Sequence, residues 1–270
     1  MGRVTFEVVN VTKEISGQSI LKSISFNCVE NTATAILGHN GSGKSTLLKI
    51  LAGIYEPTSG SVIRNTCKIA YVPELFPENL RFKLKEYLQL MASLQGFTKE
   101  DVEIQLSEYF CTFGIEQFVN TPLKQCSKGT KQKVGLIQAL LSKPEVLLLD
   151  EPLTGLDTAS QHELINLLEK LKRQATIIFT THEDMMIEAL ADQVLDMESG
   201  EIPFQKEPKK VERLIKTTFR DQEIFSGLDL VSIDYERNSA FITVEAPKSD
   251  ELLMYLLKNN CSILEIKEKR

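Results

Sequence analysis

The octet Gly38-His39-Asn40-Gly41-Ser42-Gly43-Lys44-Ser45 constrains this chain more than any other stretch. Its spacing fits G-x-x-x-x-G-K-[ST]. The apolar run Thr34-Ala35-Ile36-Leu37 precedes it and reads as a buried strand, and Thr46-Leu47-Leu48-Lys49-Ile50-Leu51 follows as the start of a helix. A strand that turns through glycines into a helix presents inward-facing N–H groups and the positive end of the helix dipole. Together these cradle a polyphosphate. Lys44 supplies a point charge for the outer phosphates, and the Ser45 hydroxyl can hold Mg²⁺. Gly38 through Thr46 are therefore the candidate binding residues.

The rest of the chain reads as strands alternating with helices. Thr5–Val11 and Ile24–Val29 suggest two strands joined by a turn at Gly17-Gln18, an antiparallel start ahead of the loop. Short strands are expected at Ser61–Ile63 and Lys68–Val72. From Lys83 to about Leu141 the pattern turns helical, with Leu84, Leu88, Met91 and Leu94 on one stripe that Gly96 stops. Val146-Leu147-Leu148-Leu149 is a continuous aliphatic run, as in a strand buried on both faces of a parallel sheet. Ala159–Arg173 reads as a helix, Ala175–His182 as another buried strand, Met185–Ala191 as a helix and Gln193–Met197 as a strand. Such alternation indicates an α/β domain with a mainly parallel sheet.

Composition shifts near Gly200, where Pro203, Pro208 and several lysines suggest a linker. Beyond it, Val211–Thr217 reads as helical, Leu228–Tyr235 and Ala240–Glu245 as strands, Ser249–Lys258 as a helix and Ser262–Ile266 as a last strand. The expected division is a domain over residues 1–204, with a helical subdomain at about 75–143, and a small α+β appendage over 205–270. The appendage carries no catalytic constellation and reads as a packing or dimerisation module.

At the end of the aliphatic strand stand Asp150 and Glu151. Ligands in parallel sheets bind beyond the carboxyl ends of the strands. Asp150 is placed to hold Mg²⁺, and Glu151 to orient or deprotonate a water for in-line attack on a terminal phosphate. His182 also closes a strand and is expected to face the same phosphate.

These residues, in this order, resemble the nucleotide-binding subunit of an ATP-binding cassette (ABC) transporter over about residues 3–202. Gly38–Ser45 is similar to the family's Walker A loop, Val146–Glu151 to its Walker B strand with catalytic glutamate, Gly155-Leu156-Asp157 to its D-loop and His182 to its switch histidine. Ser127-Lys128-Gly129-Thr130 stands where the family has its LSGGQ signature, ahead of a helix expected from Lys131 to Ser142. Ser127 and Gly129 keep the hydroxyl and the close backbone approach; Cys126, Lys128 and Thr130 depart from the pattern. Lys128 either adds positive charge near the terminal phosphate or faces solvent. Glu74 replaces the usual glutamine, keeping an acceptor for water or Mg²⁺ without the amide donor. Ile15 falls where an aromatic ring usually stacks on adenine.

The resemblance, strongest to bacterial export-type cassettes, implies ATP and Mg²⁺ as ligands. It implies a head-to-tail dimer in which Ser127 and Gly129 complete the site of a second copy, and transmembrane permease subunits docked near Glu74 and Leu75–Arg81. The implied place is the cytoplasmic face of the cell membrane. No stretch approaches the ~20 apolar residues of a bilayer span, and the N-terminus lacks a signal-peptide layout, so a membrane role is expected through a partner chain. The five cysteines, Cys28, Cys67, Cys111, Cys126 and Cys261, form no C-x-x-C pair and read as free thiols. With 37 acidic against 31 basic residues, no nucleic-acid partner is expected. A soluble cassette ATPase acting on a protein or nucleic-acid assembly is the alternative. Its ribosomal members usually carry two cassettes and its DNA-repair members a long coiled coil, and this chain has one phosphate loop and no such coil.

Overall fold

The computed structural model of the chain describes residues 3–66, 68–200, 202, 204–205, 212–219, 222–225, 228, 230–236 and 239–269. Two compact units divide it, Met1–Lys206 and Glu207–Arg270. Cys67, most of the proline- and lysine-containing linker and Val211 lie outside the described residues.

In the first unit, β1 (Val4–Ile15), β2 (Gln18–Val29) and β4 (Ser59–Arg64) form an antiparallel sheet in the order β2-β1-β4. The second sheet has the order β5-β6-β7-β3-β8-β9, built from β3 (Ala33–Leu37), β5 (Ile69–Val72), β6 (Val146–Leu149), β7 (Thr176–Thr180), β8 (Gln193–Asp196) and β9 (Phe204–Gln205). All its pairings are parallel except β8 with β9. Successive residues of a strand face opposite sides, and β6 shows what this does. Val146 and Leu148 enter a core with Phe6, Ile24, Leu47 and Leu51, whereas Leu147 and Leu149 enter a second core with Leu84, Leu88, Leu106 and Ile137. Both faces are covered, so every position of the strand is aliphatic.

Helices complete the unit: α1 (Lys44–Leu51), α2 (Leu84–Leu94), α3 (Lys99–Thr112), α4 (Lys128–Leu141), α5 (Thr158–Leu171) and α6 (Asp184–Leu190). Thr98, Ser127 and Asp157 cap α3, α4 and α5, each accepting from the backbone N–H three residues on.

Three sequence expectations change. The signature-like stretch does not precede its helix but opens it: Ser127 is the N-cap and Gly129 lies in the first turn. The main unit extends past residue 204, because β9 pairs antiparallel with β8. The segment expected to be a helix over Val211–Thr217 is instead β10 (Glu212–Thr218). In it Ile215 and Thr217 are buried, with the intervening Lys216 on the other face. Pairing on both flanks, with β12 (Ser239–Glu245) and β13 (Ile263–Lys269), decides the state of a Leu-Ile-Lys run whose own preference does not choose.

The second unit is a four-stranded antiparallel sheet in the order β11-β12-β10-β13, with β11 shortened to Ser232–Glu236, and α7 (Ala246–Lys258) on one face. Its core holds Ile215, Ile242, Val244, Leu252 and Leu256.

Candidate functional site

Parallel pairing brings the carboxyl ends of four strands level. Val72 of β5 stands opposite Leu149 of β6, Leu149 opposite Phe179 of β7, and Thr180 opposite Ile36 of β3. The residues just beyond these strand ends therefore converge: Glu74 after β5, Asp150-Glu151 after β6, Thr181-His182 after β7 and the phosphate loop after β3. The loop needs glycine where it enters α1. Gly43 has φ +95°, and a Cβ there would lie 2.7 Å from Leu21 Cδ2 and 2.9 Å from the Ile20 carbonyl.

Lys44 is buried and directed back into the loop. Its Nζ donates to the carbonyls of Gly38 at 2.7 Å and His39 at 3.3 Å, and stands 3.2 Å from His182 Nε2 and 3.9 Å from Glu151 Oε1. His182 Nε2 lies 3.1 Å from Asn40 Oδ1 and 3.2 Å from Glu151 Oε1. His39 turns away, its Nδ1 beside the Asn40 carbonyl at 2.9 Å.

Asp150 is buried and held by three hydroxyl donors: Ser45 Oγ at 3.1 Å, Tyr71 OH at 3.0 Å and Thr180 Oγ1 at 2.9 Å. A buried carboxylate needs such partners. Burial, reinforced by the charge of Asp150, raises the Tyr71 phenol above its ordinary value and keeps it a donor. The Glu151 backbone has φ +44°, a left-handed conformation that a non-glycine residue adopts at a cost of about 1–3 kcal/mol. Its N–H donates to Thr180 Oγ1 at 2.8 Å. Thr180 thus clamps both acids, accepting from the backbone of one and donating to the side chain of the other.

Burial also pushes the Glu151 carboxyl above the usual carboxylate range; His182 and Lys44 pull it back, and Asp150 and Glu74 push it further up. Glu74 is half-buried and reaches the site through this electrostatic influence. Although His182 and Lys44 are near, Glu151 Oε1 is buried without a hydrogen bond, as is Ser42 Oγ in the loop. Unsatisfied polar atoms beside an ammonium, a hydroxyl and a carboxylate suit a polyanion with its counter-cation. The pair Ser45 and Asp150, a hydroxyl and a carboxylate beside phosphate oxygens, suits Mg²⁺, which keeps several waters and takes few protein ligands.

Among the described residues no hydrogen bond or ion pair ties Ser127, Gly129 or Ile15 to this cluster. Ser127 Oγ accepts from the Thr130 N–H at 3.1 Å and lies 3.0 Å from Thr130 Oγ1. Among the described residues no hydrogen bond or ion pair joins it to Lys44, Asp150 or Glu151. Lys128 is exposed, as the second of its two expected placements has it, and lies across Gly155, where a Cβ would come 2.7 Å from its Cδ. A Cβ on Gly129 would come 3.2 Å from Leu156 Cδ2, so the signature-like turn and the D-loop-like turn pack on one another. Ile15 is 43% exposed at the tip of the β1–β2 hairpin.

Tyr71 and Thr180 are site residues that the sequence reading missed. Each is a polar residue in an apolar strand, and that is the signal that could have found them. The residues named for a docking surface differ in exposure. Phe76 packs edge-on against Tyr87 at 5.5 Å and, with Leu80, lies against the helical core; Leu75 is 65% exposed.

A glycine-rich loop between a parallel strand and a helix, with an acid-ended strand two places along the same sheet, defines a phosphate-loop nucleoside triphosphatase. Residues 21–154 match the ABC transporter family. The ABC transporter ATP-binding protein MJ1023 of Methanocaldococcus jannaschii is 36% identical over 195 residues, 72% of this chain and 74% of that protein. Among solved structures, cbiO1 from Clostridium perfringens, part of the transporter complex cbiONQ, superposes with TM-score 0.66 at 28% identity, covering 76% of this chain and 89% of that one. Dimeric MJ0796, a bacterial ABC transporter cassette, does so with TM-score 0.66 at 25% identity, over 74% and 97%. The chain belongs to the ABC transporter family, as an ATP-binding and ATP-hydrolysing subunit. Among the described residues no helix is long and apolar enough to cross a membrane.

Proposed function

We propose that this subunit hydrolyses ATP at the Lys44–Asp150–Glu151–His182 cluster and passes the resulting motion to separate transmembrane subunits at the cytoplasmic face of the membrane. The observation that carries the reading is Glu151, whose Oε1 is buried without a hydrogen bond and whose carboxyl has a raised proton affinity, 3.2 Å from His182 Nε2 and beside the phosphate-loop lysine. A carboxylate of raised pKa is a stronger base for a water proton. Gly38 to Thr46 wrap the phosphates. The Lys44 ammonium exchanges the Gly38 and His39 carbonyls for phosphate oxygens. Ser45, Asp150 and Glu74 would hold Mg²⁺, which would supply the positive charge that neutralises developing phosphate charge. His182 orients the terminal phosphate, and Ile15 borders the base.

Ser127 and Gly129 act on the nucleotide of a second copy in a head-to-tail pair. That, among the described residues, no hydrogen bond or ion pair joins Ser127 to Lys44, Asp150 or Glu151 of its own chain supports this reading, as does the dimeric state of MJ0796. The membership of cbiO1 in a larger complex supports membrane partners. The first unit is the ATP-binding domain, with α2 to α4 as its helical subdomain, and the second is a separate module. Glu151→Gln tests the site. The variant should bind Mg-ATP, hydrolyse it at least about a hundredfold more slowly, and elute as a dimer with Mg-ATP. Full turnover, together with monomeric elution, would refute both the base and the paired site.

A further inference from the structure

In the second unit β13 is an edge strand, and among the described residues nothing pairs with its outer side. Such an edge presents unpaired N–H and C=O groups that can extend the sheet. Leu264 and Ile266 on this strand are 53% and 46% exposed. In α7, Ser249, Leu252 and Leu256 are buried, while Lys248, Glu251 and Tyr255 line a cavity with Leu228 and Leu230 on the β11 flank. At about 100° per residue, Leu257 falls on the opposite flank, toward β13. It is 58% exposed. An apolar strip of Leu257, Leu264 and Ile266 therefore borders the open edge.

Glu265 and Lys267 flank Ile266 on the other face of the strand, with Lys267 Nζ 2.7 Å from Glu265 Oε1. We propose that β13 pairs antiparallel with β13 of a second copy, centred on Ile266, so that the two sheets become one. The charge pattern selects both occupant and register. A two-fold axis at Ile266 sets Ile266 against its own copy. It also sets Glu265 against Lys267 of the second copy and Lys267 against Glu265 of the second copy. Opposite charges directly across an antiparallel pair attract, and like charges repel. Moving the centre to Glu265 or to Lys267 places that residue opposite itself, and a shift of one residue turns Ile266 to the charged face. The same axis brings the Leu257 flanks of the two α7 helices toward each other across the joined sheet. Pairing here needs no nucleotide, and it holds two ATP-binding units at raised effective concentration before ATP arrives.

The experiment uses the full chain without nucleotide or Mg²⁺, in sedimentation velocity over a concentration series reaching about 100 µM. The unmodified protein should dimerise. Glu265→Lys sets Lys against Lys, and Lys267→Glu sets Glu against Glu, so each alone should dissociate about tenfold more readily or worse. Mixed in equal amounts, the two single variants face each other with every charge matched and should form a heterodimer. The double swap Glu265→Lys with Lys267→Glu should dimerise like the unmodified protein. Circular dichroism checks that each variant is folded. A monomeric unmodified protein, single variants that dimerise normally, or folded single variants that fail to combine would each overturn the proposal. ATP binding by the same samples reads the phosphate-loop site separately, so failure here leaves the proposed ATPase site standing.

Discussion

Thr180→Val is the sharpest test of how the site is held. Thr180 is fully buried and its hydroxyl makes two hydrogen bonds, one from the Glu151 N–H at 2.8 Å and one to Asp150 Oδ1 at 2.9 Å. Valine has the same shape and neither bond. A buried N–H left without an acceptor costs about 1–3 kcal/mol, and a lost bond to a charged acceptor about 1.5–3 kcal/mol. The added methyl returns about 0.8 kcal/mol by burial. The net loss is about 2–5 kcal/mol, which in a unit of this size lowers Tm by roughly 5–15 °C. Activity should fall as well. The left-handed backbone of Glu151 loses the bond that fastens it, and Asp150 retains only Ser45 and Tyr71. Removing a partner that orients a site carboxylate typically costs about ten- to a hundredfold. Calorimetry and steady-state ATPase assays on Thr180→Val and Thr180→Ser, which keeps the hydroxyl, measure both effects. A valine variant with unchanged Tm and turnover would show that Thr180 fills space and does not clamp the acids.

Other substitutions probe neighbouring parts of the reasoning. The folded-state pKa of Glu151 is raised above its ordinary 4.5, so its contribution to stability is present below that value and lost as pH rises through the folded pKa. Glu151→Gln should therefore melt above the unmodified protein at about pH 7, the gap closing toward about pH 4; an equal or lower Tm at neutral pH would contradict the burial argument. Ile15→Tyr should tighten ATP binding about fivefold or more if a ring there stacks on adenine, since such stacking is worth ~1–3 kcal/mol. Unchanged affinity, together with weakened binding in Tyr55→Ala, would assign the base to Tyr55, whose ring lies 5.8 Å from Lys13 Nζ and 5.7 Å from Lys49 Nζ. Leu75→Asp should lower recovery of a membrane chain in pull-downs from detergent-solubilised membranes with Tm unchanged, whereas Phe76→Ala should lower stability by about 2–3 kcal/mol of lost packing, read as a fall in Tm. Full recovery with Leu75→Asp would move the docking surface elsewhere.

What was legible in the chain is what lies close together along it. The loop from Gly38 to Ser45 carries its own strand and helix, so its conformation and anion preference follow from local spacing. The aliphatic run of β6 announces a strand covered on both faces, and the acids after it announce the site, because a parallel sheet gathers its strand ends on one side. The existence of the helix after Ser127 was also readable from its periodic run, but its start was not: Thr130 stands where a capping box would carry Glu or Gln, and the structure sets the cap at Ser127.

Tertiary structure decided the rest, for reasons of distance along the chain. The sheet order β5-β6-β7-β3 differs from the chain order, and only that order lets Tyr71, Thr180 and Ser45 meet on Asp150, and His182 meet both Lys44 and Glu151. No local periodicity encodes such meetings, because each depends on which strand becomes whose neighbour. Phe76 and Leu75 are adjacent apolar residues, and only the packing of the helices behind them separates a buried ring from an exposed side chain. Residues 212–218 carry a short run whose own preference does not choose between helix and strand. The two strands that flank it supply hydrogen bonds on both sides, and those distant partners make it the inner strand of its sheet.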